Sequence, residues 1–144
     1  MFPFRFFSQL GLNVHTGTLE ALKVIRKTDF SAFGLTVREY SNFLRRLKHP
    51  NIIQTTNVIE DTKCKFTLTV MEYAEGGYLM SEEHYTENCK PLDMRKALLY
   101  FTQMLFAVKY LHSNDIIHGD LTLKNMLLNL SLIHISEPTR LQDI

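Results

Sequence analysis

Across residues 93 to 112 the apolar side chains of Met94, Ala97, Leu98, Phe101, Met104, Leu105, Val108 and Leu111 recur at spacings of three and four, and Asp93 is suited to cap the start. A stripe of that length belongs against a core, so this helix must lie on other elements, and no chemistry is assigned to it. What precedes it has a different character. Gly17 marks a turn, and residues 19–25 read as the second strand of a hairpin with one lysine, Lys23, among apolar neighbours. From 33 to 47, Leu35, Val37, Tyr40, Phe43, Leu44 and Leu47 follow helical spacing, and the run stops before His49-Pro50-Asn51. Residues 52–59 and 66–71 are β-rich runs separated by Glu60-Asp61-Thr62-Lys63, as in an antiparallel pair. Glu75-Gly76-Gly77 then breaks the pattern as a linker, and the polar residues 78–92 suggest a short helix plus loop. The order implies an α+β chain: a small antiparallel β-rich part with one helix, a glycine hinge, then an α-rich part.

Composition narrows the function classes. A length of 144 residues with 45% hydrophobic and 22% charged side chains suits a soluble domain with a core. The net charge of +1 argues against binding nucleic acid or a membrane surface through bulk electrostatics. Arg45, Arg46, Lys48 and His49 form a basic cluster that reads as a solvated helix end. Cys64 and Cys89 show no metal-ligand spacing, which points to reduced thiols in the cytoplasm or nucleus. No apolar run has membrane-spanning length, and residues 1–7 have neither the apolar core nor the cleavage site of a signal peptide.

The chemistry concentrates in Ile116-Ile117-His118-Gly119-Asp120-Leu121-Thr122-Leu123-Lys124-Asn125, which sets an Asp and an Asn five positions apart between two apolar runs. This segment resembles the catalytic loop of eukaryotic protein kinases, in which the Asp orients the substrate hydroxyl and accepts its proton and the Asn holds a magnesium ion. Ala21-Leu22-Lys23, His49-Pro50-Asn51-Ile52-Ile53 and Met71-Glu72-Tyr73-Ala74-Glu75-Gly76-Gly77 follow the same family's order. The resemblance covers roughly residues 9 to 129. It implies an incomplete kinase fold: residues 9–74 as the N-lobe and 75–129 as the start of the C-lobe.

Carried over position by position, the resemblance makes Asp120 the catalytic base, Asn125 the magnesium ligand and Lys23 the cation on the α- and β-phosphates of ATP. Ala21 and Leu127 would sandwich the adenine, Met71 would stand as gatekeeper, and the backbone of Glu72 and Ala74 would hydrogen-bond the base. His118 reads as a packed structural residue. The implied reaction is transfer of a phosphoryl group from ATP, with Mg2+, to a protein Ser or Thr hydroxyl. The implied partner is therefore a protein substrate, and neither nucleic acid nor membrane is expected.

Several positions depart from the family. Gly119 stands where most kinases carry Arg, Thr122 where Ser/Thr kinases carry Lys, and Tyr78 where an acidic residue lies near the ribose. The helix glutamate that pairs with the strand lysine falls on Tyr40. Glu39, one residue away and so turned by about 100°, is the candidate partner for Lys23. The phosphate-covering glycines fall on Met1, Pro3 and Phe6, with the closing valine on Ser8, so residues 1–8 read as a non-native or disordered start. Residues 131–141 resemble the translation of a sequencing-library adapter, which makes 130–144 an artefactual tail. Alternatively, residues 132–136 alternate as a strand and Glu137-Pro138-Thr139 stands near the place of Asp-Phe-Gly. The departures leave a second reading open, a pseudokinase that binds nucleotide or serves as a scaffold. On either reading the isolated chain is expected to be inactive, and to expose apolar surface along 94–111 that favours aggregation or partial folding.

Overall fold

A computed structural model describes residues 7–28, 36–79, 91–129, 132–136 and 140–141. The chain divides into two compact units, one formed by residues 1–48 and 54–73, the other by 49–53 and 74–144. The incomplete kinase-like α+β architecture implied by the sequence is what forms.

The first unit is an antiparallel sheet of four strands in the order β1-β2-β4-β3, with β1 Phe7–Leu12, β2 Leu19–Arg26, β3 Thr55–Glu60 and β4 Phe66–Glu72. Asn13 closes the β1–β2 hairpin: its side-chain oxygen accepts from the amides of His15 and Thr16, and Gly17 takes a positive φ of 70° at the turn. Strand β1 begins at Phe7, so two residues of the 1–8 stretch pair with Val24 and Lys23. Helix α1, Val37–Arg46, starts at Thr36. The expected helix residues 33–35 lie outside the described residues, as do 1–6, Cys89 and the 80–90 part of the polar stretch. Leu44 anchors α1, which packs beside β3, and Arg45 reaches across to the side-chain oxygen of Asn57 at 2.8 Å.

One expected strand is shorter than its sequence pattern. Residues 52–59 read as a single run, but β3 starts at Thr55, and Ile52 and Ile53 belong to the second unit. There Ile52 bridges Ile135, and the Ile53 amide donates to the Ile135 carbonyl at 3.0 Å. Both isoleucines are buried. Apolar β-branched residues satisfy either a strand or a buried bridge, and the pattern alone does not divide them.

The second unit holds α2 Met94–His112, β5 Ile116–Ile117, β6 Met126–Asn129, β7 Leu132–Ile135 and β8 Arg140–Leu141. Asp93 caps α2 as expected, accepting from the amides of Arg95 and Lys96. Its buried face differs from expectation. Gln103, Ala107 and Leu111 are the buried positions, whereas Met94, Leu98, Phe101 and Leu105 of the expected core stripe are exposed, Met94 to 80%. The described neighbours of α2 are β7 and β5, and they cover one side of the helix.

Gly76 and Gly77 are likewise more than a linker. The Gly76 amide donates to the Leu128 carbonyl, the Leu128 amide to the Gly77 carbonyl and the Leu79 amide to the Met126 carbonyl, each at 2.8 Å. This segment therefore flanks β6 on one edge, and β7 pairs antiparallel on the other, with Met126 opposite Ile135 and Asn129 opposite Leu132. Strands β7 and β8 fall within 130–144, and the alternation noted for 132–136 is the strand that forms. Ile133 and Ile135 are fully buried.

Candidate functional site

The loop between β5 and β6 is built by backbone constraint. After α2 the chain turns through Asp115, whose φ of 58° is left-handed, and enters β5. His118 is buried, its Nε2 donating to the Ser136 carbonyl at 3.0 Å and its Nδ1 accepting from the Asp120 amide at 3.3 Å. With both ring nitrogens so engaged, His118 shapes the loop rather than carrying a proton. Gly119 has a φ of 78°, a conformation that a residue with a side chain adopts only at a cost. A single 3-10 turn, Leu123–Asn125, follows, closed by the Asn125 amide on the Thr122 carbonyl.

This turn brings Asn125 back to Asp120. The carboxamide nitrogen of Asn125 donates to the Asp120 carbonyl at 2.8 Å and to its Oδ2 at 2.9 Å. These bonds fix the amide orientation and turn its oxygen away from the carboxylate, as a hard oxygen suited to Mg2+. Asp120 is exposed, so its carboxylate is open to solvent. Among the described residues no group of three or more His, Cys, Asp or Glu could hold a metal ion by itself. The donor set instead suits an ion that keeps water and phosphate oxygens in its shell.

The remaining sequence-derived positions lie on β2 and β4 of the first unit and, in the second, at Ala74 and on β6. Ala21 and Lys23 sit in β2, opposite Met71 and Thr69 of β4, with Lys23 and Met71 buried and Ala21 half-buried. The Glu72 amide donates to the Gln54 carbonyl at 3.0 Å, and a Glu72 side-chain oxygen accepts from the Gln54 amide. Ala74 is buried, and its carbonyl closes a turn with the Gly77 amide. Leu127 lies in β6, half-buried and bridged to Tyr78.

Glu39 does not serve as the sequence reading suggested. Its Oε2 accepts from both the amide and the hydroxyl of Thr36 at 2.8 Å, while its own amide donates to the Thr36 hydroxyl, which closes a capping box. The hydrogen bond from the Thr36 backbone, and then that from its hydroxyl, hold the Glu39 carboxyl below its ordinary pKa. Helix phase agrees: Glu39 is exposed, and the half-buried Tyr40 shares a side of α1 with the buried Leu44.

Comparison with known proteins agrees with this geometry. The protein kinase domain family matches residues 8–141. The chain belongs to the protein kinase family. CBL-interacting serine/threonine-protein kinase 14 of Arabidopsis thaliana is 36% identical over 121 residues, 83% of this chain and 26% of that protein. CBL-interacting serine/threonine-protein kinase 21 of the same plant is 37% identical over 123 residues, covering 84% of this chain and 28% of its own length. Serine/threonine-protein kinase ssp1 of Schizosaccharomyces pombe is 32% identical over 133 residues, 85% of this chain and 20% of the relative. The chain thus spans about a quarter of the first two relatives and a fifth of the third. Protein kinases in general act on proteins with ATP and a divalent metal.

The kinase loop rests on supports that sequence reasoning missed. Ser136 joins both ends of the loop, accepting from His118 and donating its amide to the Asn125 carbonyl at 2.9 Å. Strand β7 is in turn gripped by two side chains: Asn51 donates to the Ile133 carbonyl at 2.8 Å, and Gln103 accepts from the Ile133 amide at 2.6 Å. Asn51 lies in the His49-Pro50-Asn51-Ile52-Ile53 run, and Gln103 is the polar residue on the otherwise apolar buried face of α2. That interruption was the available signal. Nearby, the His49 ring lies 5.1 Å from that of Tyr110, and burial first, then the charge of His134, pushes its pKa down.

Proposed function

We propose that this chain is part of a protein kinase that, in its complete form, transfers the γ-phosphoryl group of ATP to Ser or Thr hydroxyls of a protein substrate. Residues 9–74 contribute the small lobe and 75–129 the start of the large one. Asp120 orients the incoming hydroxyl and accepts its proton, while Asn125 offers its carboxamide oxygen to Mg2+. Lys23 places a cation at the α- and β-phosphates. Ala21 and Leu127 enclose the adenine, Met71 closes the back of its pocket, and the backbone of Glu72 and Ala74 contacts its edge. Bound ATP and Mg2+ supply the phosphoryl group and neutralise its developing charge. The observation that supports the reading is the pair of hydrogen bonds from the Asn125 carboxamide to the Asp120 carbonyl and Oδ2, at 2.8 and 2.9 Å, which keeps the two side chains adjacent.

The 144-residue chain alone does not turn over on this reading. Met1, Pro3 and Phe6 stand at the positions of the phosphate-covering glycines, and none supplies that backbone. The parent acts in the cytoplasm or nucleus. A pseudokinase, binding nucleotide or scaffolding without transfer, is the second reading, and the capture of Glu39 by Thr36 favours it. Incubating the full-length parent with γ-labelled ATP, Mg2+ and a general protein acceptor separates the two. Label on Ser or Thr supports the enzyme, and Mg2+-dependent ATP binding without transfer supports the pseudokinase. Absence of nucleotide binding contradicts the proposed site, and label confined to tyrosine contradicts the Ser/Thr assignment.

A further inference from the structure

Gln103 lies on the buried face of α2 in line with Ala107 and Leu111, at steps of four residues. A leucine there would extend the apolar face, and an amide buried in its place needs a polar partner. That partner is the main chain of β7. Four main-chain groups on Ile133 and Ile135 have partners outside β6, and residues 51–53 satisfy three of them. The Asn51 carbonyl accepts from the Ile135 amide at 2.9 Å, the Ile53 amide donates to the Ile135 carbonyl at 3.0 Å, and the Asn51 carboxamide donates to the Ile133 carbonyl at 2.8 Å. The fourth group, the Ile133 amide, donates to Gln103 Oε1 at 2.6 Å. Ile133 is 1% exposed, so removing Gln103 takes an acceptor from a donor closed off from solvent. Ser136 follows β7 directly, its carbonyl accepting from His118 at one end of the 118–125 loop and its amide donating to the Asn125 carbonyl at the other.

We infer that Gln103 is a positioning residue for Asp120 and Asn125: by holding Ile133 it fixes where β7 ends, and Ser136 passes that placement to both ends of the loop. Each bond of this relay on Ile133, Ile135 and Ser136 falls on a main-chain atom. It therefore requires an extended backbone at 133–136 and no particular side chains there. Gln103 touches no reacting atom, and its effect on chemistry is alignment, to which transfer rates respond steeply. The effect on phosphoryl transfer rests on the roles proposed for Asp120 and Asn125. The effect on the loop does not.

Amide hydrogen exchange of the whole chain at low concentration, read by mass spectrometry, tests the relay on two variants. Gln103→Met keeps the side-chain length and loses the acceptor, and Gln103→Glu keeps an oxygen at the same reach. In Gln103→Met, exchange across 118–126 is expected to quicken by about tenfold while that of β4 in the first unit holds its rate. Gln103→Glu is expected to bring 118–126 back toward the wild-type rate. Equal quickening in both segments overturns the inference, since it marks a general loss of stability, and so does an unchanged rate at 118–126. If Gln103→Met does not fold, Gln103→Asn, which keeps the amide but withdraws it by one methylene, decides by the same signs. In the full-length parent, with rates counted per Mg2+-dependent ATP-binding site, Gln103→Met is expected to lower kcat by about 10–100-fold with the KM for ATP unchanged, and Gln103→Glu to restore it. A wild-type kcat per site in Gln103→Met overturns the positioning role. Should the parent transfer no phosphate while loop exchange still quickens, the relay stands and the kinase reading falls.

Discussion

Replacing Gly76 with alanine puts a methyl group where the fold has no room. A Cβ built at Gly76 would lie 2.7 Å from the Leu128 Cβ, 2.7 Å from the Leu128 carbonyl oxygen and 3.1 Å from its carbon. Two of those atoms are backbone, so no rotamer change relieves the contact, and the 76–79 segment must move away from β6. That movement breaks or lengthens the bonds from Gly76 to Leu128 and from Leu128 to Gly77, both 2.8 Å. Two hydrogen bonds at about 1 kcal/mol each, with overpacking of about 1–3 kcal/mol partly relieved by the movement, give a loss of about 2–4 kcal/mol. Gly17→Ala is the control: it has the left-handed φ of 70° but nothing within 4 Å of the new Cβ. Strain alone costs about 1–2 kcal/mol there. Unfolding midpoints and slopes in urea, read by pulse proteolysis at low concentration, give both values. A Gly76→Ala loss under about 0.5 kcal/mol, well below the overpacking range, would show that the glycine pair is a free linker and refute the pairing with β6.

Two further expectations concern the loop and its surroundings. Gly119→Ala should lower stability by about 1–2 kcal/mol through the left-handed backbone at φ 78°, and Gly119→Arg, which restores the residue common in the family, should cost at least as much; an unchanged urea midpoint in both would contradict the geometry. His49 has a folded pKa below its ordinary 6.5, so the unfolded chain binds more protons between those two values. Stability should therefore rise with pH through that window and fall as acid protonates His49 against burial and the nearby His134. His49→Gln should flatten the rise, and an undiminished slope would place the titration elsewhere.

What was legible in the sequence was whatever is local. The turn at Gly17 and the cap at Asp93 depend on residues within a few positions, and each forms as read, while Asp120 and Asn125, five positions apart, are joined by a hydrogen bond. What was not legible depends on partners distant in the chain. Residues 52–59 look like one strand, but Ile52 is drawn to Ile135, and no alternation in the run marks the break at Thr55. The apolar stripe of α2 was right as a helix and only partly right as a buried face: Leu111 is buried but Met94, Leu98, Phe101 and Leu105 are exposed, because which side is covered depends on β7 and β5. Glu39 is a local exception: its Thr36 partner lies three residues away, and the capping box between them engages the carboxylate that a long-range pairing with Lys23 would need. Gly119 read as the loss of an arginine, and the structure adds a backbone reason for glycine at that position.

On the proposed function, Asp120 and Asn125 act together in phosphoryl transfer, one on the hydroxyl proton and the other on the metal. Its most direct test is the rate of transfer from γ-labelled ATP by the full-length parent and its Asp120→Asn variant, which keeps the side-chain shape and removes the base. The rate should fall by about 10²–10⁴-fold, the usual contribution of a positioned base, with Mg2+-dependent ATP binding retained. Transfer at an undiminished rate in Asp120→Asn would rule out Asp120 as the base.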